Sequence, residues 1–274
     1  MGLPCPFPSS TGRLRVALAL GLAFMPLTAV QAQPLALKMD LHLGSAAPSD
    51  RGPVHRNLSA RITADHEGGS LRAELSHQEA YGETGQVLAL GISRDLGPDW
   101  LVTADAQASD ASRFLARWRL EGGVGRKWLA DRSLVTLASV ARSAARDGHR
   151  DQVLSVAAQW YARPGWVLQA GWRQTRSEPG PVSARRAFMA MDLSSGPHSL
   201  VLQHEWGREA WVLIDPSATA AAQVKTDLFS RWTRWQYAYA VTPDWQLTAG
   251  QSWYRRDGYG RHGLEIGSRF PLTP

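Results

Sequence analysis

The stretch "FLARWRLE", Phe114 to Glu121, decides the fold. Phe114, Ala116, Trp118 and Leu120 alternate with Leu115, Arg117, Arg119 and Glu121. Period-two alternation is the signature of a β-strand, because successive side chains point to opposite faces. One face is apolar and the other carries three formal charges. A core strand of a soluble protein accepts that only if the charged face meets water. A strand whose apolar face meets lipid and whose charged face meets a wet barrel interior fits without further cost.

The same pattern recurs along the chain. "LALKMDLHL" sets Leu35, Leu37, Met39, Leu41 and Leu43 against Lys38, Asp40 and His42. "NLSARITAD", "SLRAELSHQ", "VLALGISR" and "WLVTADAQAS" follow, then the opening stretch and a weakly alternating segment at 133–145. Later come "QVLSVAAQWYA", "WVLQAGWRQTR", "RRAFMAMDL", "SLVLQHEW", "LFSRWTRWQYAYAV", "WQLTAGQSWYRR" and "RHGLEIGSRF". These make about 14 strands, with 12 as the alternative, each near the ~9–11 residues that cross a tilted bilayer path. The expected fold is all-β: a transmembrane antiparallel up-and-down β-barrel.

Tight connections, "EGG", "LGPD", "RPG", "SGPH" and "TPD", alternate with wider ones at 44–53, 82–85, 109–112, 145–151, 177–184, 210–227 and 256–260. Short periplasmic turns and longer outer loops are the outer-membrane arrangement. "GRKWLADRS" is long for the tight set. Trp100, Trp166 and Trp245 each follow a tight turn and read as a girdle at one membrane interface. Trp172, Trp206, Trp211, Trp232 and Trp253 fall toward the other strand ends. A soluble exported β-sandwich with ordinary core tryptophans is the competing fold.

The first residues have a separate role. Arg13 and Arg15 precede "VALALGLAFMPLTAV", and "QAQ" follows. A basic start, a short apolar run and a small residue before the cut read as a signal peptide over 1–32, leaving 33–274 as the barrel domain. The apolar run is short for a spanning helix. Cys5, the sole cysteine, lies in that segment, so the mature chain carries no disulfide or thiolate metal site. Losing Arg13 and Arg15 takes the formal charge from +6 to +4. The basic residues are scattered, which argues against nucleic acid as a partner.

No catalytic motif stands out. Ser76–His77, His198–Ser199 and His204–Glu205 are chain neighbours on strands and point apart. His149 and His262 are expected near outer loops with Asp147, Asp151 and Asp257, an arrangement that is usually a solvated pair. No metal-ligand spacing occurs, and no cofactor site is expected. "EGGVG" lacks the lysine and following helix of a phosphate loop. The expected lumen-lining set is Arg61, Arg72, Glu74, Asp105, Arg117, Arg119, Glu121, Arg173, Arg186, Asp192, Glu205, Arg234, Glu265 and Arg269. Thr103, Gln107, Gln169, Gln203, Gln236 and Tyr254 join them. These charges either brace the barrel as ion pairs or line a polar conduit.

From Glu79 to Phe270 the chain resembles the YaiO-type outer-membrane β-barrel family. The resemblance is carried by "GPDWLVTADAQASDASRFLARWRLEGGVGRKW", "EWGRE" and "RWQYAYAVTPDWQLTAGQSWYRRDGYGRHGLEIGSRF". It supports fold and location and brings no catalytic residues. Similar barrels follow helical-repeat domains in exopolysaccharide-export proteins, and this chain has no such repeats. A last strand ending in Phe270 resembles the barrel insertion signal, although "PLTP" follows it. The expected partners are outer-membrane lipid and lipopolysaccharide, the barrel-assembly machinery and an envelope polysaccharide-export system. The expected function is a passive pore, or an outlet for an exported polymer, in the bacterial outer membrane. The alternative is a non-conducting barrel whose outer loops bind a ligand or modify a surface lipid.

Overall fold

Alternation holds for ten to eighteen residues at a time, and each run is one strand. The computed structural model describes residues 36–110, 112, 114–146, 148–178, 182–214 and 223–272. The expected signal peptide, Asp147 and the side chain of Trp211 lie outside the described part. The strands are β1 (Ala36–Pro48), β2 (His55–His66), β3 (Gly69–Ala80), β4 (Glu83–Leu96), β5 (Trp100–Ser109), β6 (Ala116–Trp128) and β7 (Leu134–Ala145). They continue as β8 (Arg150–Arg163), β9 (Trp166–Glu178), β10 (Val182–Ser195), β11 (His198–Ile214), β12 (Gln223–Ala240), β13 (Gln246–Arg256) and β14 (Tyr259–Pro271).

Each strand pairs antiparallel with its sequence neighbours, and β1 pairs with β14, so the sheet closes into a 14-stranded barrel. Closure leaves no strand edge along the shared ladder, so its amides find carbonyls without water. At the seam Asp40 stands opposite Arg269 on one side and Arg61 on the other. The weakly alternating 133–145 segment forms β7.

The connections differ from expectation in three places. β3 and β4 are joined by Tyr81 and Gly82 alone, because Glu83 already pairs with Ala80. Both turn residues take positive φ, 55° and 78°, the backbone that a two-residue hairpin needs to match strand twist. Asp257 and Gly258 likewise suffice between β13 and β14. The long β6–β7 turn shrinks to residues 129–133, since the ladder runs on to Trp128–Leu134. There Asp131 takes the Ser133 amide at 3.1 Å, and this hydrogen bond holds its carboxyl below the usual carboxylate range.

The opening stretch is also shorter as a strand than it reads. β6 begins at Ala116, and a bulge between Ala116 and Trp118 takes Arg117 out of the alternation. Phe114 lies in the preceding loop, edge-on to Tyr81 at 6.4 Å between ring centres, rather than facing lipid. Leu115 is buried. From Trp118 onward the alternation holds.

One face of the sheet is apolar all round: Leu41, Leu58, Leu75, Leu120, Leu154 and Leu264 stand on it, with Leu120 56% and Leu264 62% exposed. A continuous apolar girth on that scale belongs in lipid rather than water. At the tight-turn end Trp100, Trp128, Trp160 and Trp245 ring this face. Arg126 lies 4.0 Å over the Trp128 ring and Arg163 lies 3.8 Å over Trp166, placing cations at the headgroup level. Toward the other end stand Trp206 and Trp253, while Trp172 is mid-strand. Trp232 does not belong to that girdle. Its register partners are Glu205 and Tyr254, on the opposite, polar face.

Candidate functional site

The polar face is concave. Contacts that skip a strand form only where side chains converge, and here they recur. Arg72 of β3 reaches Asp105 of β5 across Gly91 of β4, its register partner on both sides. A side chain at Gly91 would meet Asp105 Oδ1 at 2.5 Å and Arg72 Nη2 at 2.9 Å, so the pair needs glycine there. Arg234 of β12 donates to Glu265 of β14 at 2.6 Å, over β13. Arg173 of β9 donates to Glu205 of β11 at 3.0 Å, over β10. Beside it the Phe188 ring takes the Arg173 guanidinium at 5.5 Å.

The remaining charges pair with near neighbours. Arg61 donates to Glu74 at 2.7 Å, and Arg269 donates to the buried Asp40 at 2.6 Å. Glu121 accepts from Arg119 at 2.7 Å and from the Ser139 hydroxyl at 2.9 Å. Lys38 of β1 pairs with Asp65 of β2 at 2.9 Å, while Lys127 of β6 makes a further strand-skipping pair with Asp95 of β4 at 2.8 Å.

The densest cluster lies between β10 and β13. Glu209 accepts from Arg186 at 2.8 Å, from Ser230 at 2.7 Å and from the Tyr254 hydroxyl at 2.6 Å. Arg186 also stands 3.2 Å from Glu205. Ser230 is fully buried and the Glu209 side chain only 13% exposed. Charge-assisted bonds of this length are the strong kind, and four partners around two carboxylates hold the local wall rigid.

Of the expected lumen set, the structure gives twelve residues a carboxylate or guanidinium partner: Arg61 with Glu74, Arg72 with Asp105, Arg119 with Glu121, Arg173 and Arg186 with Glu205, Arg234 with Glu265, and Arg269 with Asp40. Arg117 is exposed at the bulge. Asp192 takes only long hydroxyl contacts, from Ser194 at 3.4 Å and Ser199 at 3.5 Å. Glu209, Trp232, Phe188 and Asp40 share the polar face and were absent from the set. Strand parity finds them: Glu209 lies four residues from Glu205, and Trp232 two from Arg234.

These ion pairs run along the wall. Apart from strand neighbours, the backbones of the described residues come close only between β9 and β11 and between β10 and β12. No described strand brings its backbone close to one on the far side, and no ion pair found among the described residues joins opposite sides.

Among the described residues, Asp151, His149 and Ser177 come together without the order of a nucleophile–base relay. Asp151 accepts from Ser177 at 2.5 Å and meets His149 Nε2 at 2.8 Å, so the carboxylate sits between the other two. A relay needs histidine in the middle, and Ser177 is only 1% exposed. His262 lies on β14 rather than in a loop, outward-facing, stacked on Trp253 at 5.5 Å and bonded to Gln251 at 2.7 Å. Among the described residues no group of three or more His, Cys, Asp or Glu side chains could hold a metal ion. "EGGVG" lies within β6, where Gly123 and Gly125 admit the neighbouring Thr103, Ser139, Leu101 and Leu137 side chains.

A closed 14-stranded barrel, apolar outside and ion-paired inside, matches what the family comparison finds. The model of the YaiO membrane beta barrel domain matches residues 49–210. The chain belongs to the YaiO membrane β-barrel family. No curated protein sequence matches it. The YaiO barrel is similar in fold to the CymD monoaromatic hydrocarbon channel: 6% identity, 88% of this chain and 89% of that one covered, TM-score 0.54. It is similar to outer-membrane-expressed OmpT of Vibrio cholerae, at 8% identity, 89% and 99% coverage and TM-score 0.51. For the NanC porin the values are 11%, 85% and 100%, and 0.50. The chain therefore has the outer-membrane β-barrel fold that porins and channels share.

Proposed function

We propose that this YaiO barrel resides in the bacterial outer membrane, with its tight turns and chain ends toward the periplasm, and acts as a passive hydrophilic pore with a charge-balanced wall. The observation that carries this reading is that the inner ion pairs lie along the wall and join no opposite sides. Such pairs brace the strands and leave the axis to water. Bracing and passage are then two results of one arrangement. A barrel of 14 strands is wider than the eight-stranded kind that side chains can fill, and approaches the 16–18 strands that hold an aqueous channel.

In its finer form the reading is an outlet for an exported polymer such as exopolysaccharide. Gln107, Gln169, Gln203 and Gln236 share the inner face with the paired charges, as do Phe188, Trp232 and Tyr254. Amides and paired ions exchange hydrogen bonds with hydroxyls, and rings stack on sugar faces. No chemical step is part of this role. The partners it calls for are the barrel-assembly machinery, which would read the last strand, and an envelope polysaccharide-export system. Purified protein in planar bilayers tests the pore: steps of steady conductance are expected, and a folded barrel that never conducts overturns it.

One observation favours a second role at the outer end. Beyond Gly207 on β11 and Ser230 on β12, the two strands pair only with each other. This hairpin extends past both neighbours and offers a binding edge. Deleting 210–227 separates the roles: conductance persists if the hairpin only binds a ligand.

A further inference from the structure

The inner charges balance, yet the chain carries 30 Lys and Arg against 24 Asp and Glu. Part of the excess is on the outward face. On β7 and β9–β13, Arg142, Arg176, Arg185, Arg208, Arg231 and Arg255 share the parity of the lipid-facing residues and are exposed. All six lie toward the end opposite the tight turns. Apolar residues lie on the membrane side of most of them: Val140 precedes Arg142, Trp253 precedes Arg255, and Trp206 stands beside Arg231 and precedes Arg208, while Phe229 stands beside Arg208.

Arg142, Arg185 and Arg255 make no hydrogen bond or ion pair among the described residues, and Arg176 reaches Glu178 only at 3.9 Å. Among residues whose side chains are described, the acids beside the arc are Glu178 on β9 and Asp257 in the turn after β13. The contrast with the far side of the barrel is plain. There the outward Arg56 of β2 is neutralised by Glu79 of β3 at 3.1 Å.

We infer that this arginine arc binds the phosphorylated sugar headgroups of the surrounding glycolipid, with the acyl chains lying on the apolar face just below. Charge complementarity favours an anion. Guanidinium matches phosphate with two parallel hydrogen bonds. Strands lie about 4.8 Å apart, so an arc across β7–β13 extends over tens of ångströms. That is too broad for one free phosphate and fits several lipids side by side. The membrane-facing position, beside Trp206 and Trp253, selects a lipid over a soluble anion. The inference rests on the orientation proposed above, with this rim outermost.

The test uses the full mature chain in mixed micelles. Bisphosphorylated lipid A, its dephosphorylated form and inorganic phosphate are each titrated, with bound lipid counted by native mass spectrometry. The protein should retain bisphosphorylated lipid A and not the dephosphorylated form. The triple change Arg142→Gln, Arg185→Gln and Arg255→Gln should weaken retention roughly 100-fold, at about fivefold per arginine near a charged surface. These side chains brace nothing, so the variant should keep its heat-modifiable migration. The matching triple at the tight-turn end, Arg94→Gln, Arg126→Gln and Arg163→Gln, should bind as the parent does. Parent-like binding by the first triple overturns the inference and leaves the pore untouched. Loss confined to the second triple overturns both the inference and the orientation. Displacement by excess inorganic phosphate overturns the choice of a lipid ligand.

Discussion

Glu209→Ala is the sharpest probe of the bracing network. The carboxylate accepts three bonds, from Arg186, Ser230 and Tyr254, of 2.8, 2.7 and 2.6 Å. Truncation leaves the fully buried Ser230 hydroxyl without this acceptor, which costs about 1–3 kcal/mol. The Tyr254 hydroxyl loses a charged acceptor but can turn to lumen water, a loss of about 1 kcal/mol. Arg186 keeps Glu205 at 3.2 Å, so its charge is not abandoned. The total is about 2–4 kcal/mol. Glu209→Gln keeps the shape and one acceptor oxygen, and should cost about 1–2 kcal/mol. Asp65→Ala, which removes the exposed partner of Lys38, should cost less than about 1 kcal/mol. Guanidinium unfolding in micelles, followed by tryptophan fluorescence and heat-modifiable migration, reads the order Ala, Gln, then Asp65→Ala. An Ala variant that unfolds with the parent, or alongside Asp65→Ala, refutes the idea that this cluster holds the wall.

Other outcomes follow from the same geometry. Glu205→Gln with Glu209→Gln leaves Arg173 and Arg186 without carboxylates, so reversal potentials across a salt gradient should shift toward anions; an unchanged potential places these groups off the ion path. Gly91→Ala inserts a methyl between Arg72 and Asp105 and should lower the unfolding free energy by about 1–3 kcal/mol, read in the same denaturation assay. Leu120→Arg puts a charge on the lipid face and should cost about 2–4 kcal/mol, whereas Gln169→Lys on the inner face should stay within about 1 kcal/mol. His149→Ala and His262→Ala should leave lipid A and surface polymers unchanged by mass spectrometry; a change in either gives the barrel an enzymatic role.

Much of this is legible in the sequence, for a specific reason. Period two assigns each residue of a regular strand to a face, so Arg119, Glu121, Arg173 and Glu205 could be sorted without knowing their partners. The same rule implied that Trp232 faces inward with Arg234 and Gln236, but its place near the outer strand ends suggested a girdle instead. Parity is the stronger signal, because a misplaced face reverses the whole strand. Alternation gave no warning at Phe114 and Leu115, since a loop and bulge can continue an apolar–polar rhythm by chance. Partner choice was unreadable. Arg72 meets Asp105 and Arg234 meets Glu265 across an intervening strand, which depends on register and curvature. Gly91 and Gly250 on those intervening strands were the local clue, each standing where a side chain would block the pair. The outward arginines passed as scattered charge until the strands were set side by side.

In the proposed pore, wall charges pair along the barrel and leave its axis open. Single-channel recording of the refolded mature chain in a planar bilayer tests it most directly. Ohmic steps with weak ion selectivity are expected, and they should persist after deletion of 210–227. A correctly folded, heat-modifiable barrel that gives no steps, with the hairpin present or deleted, contradicts it.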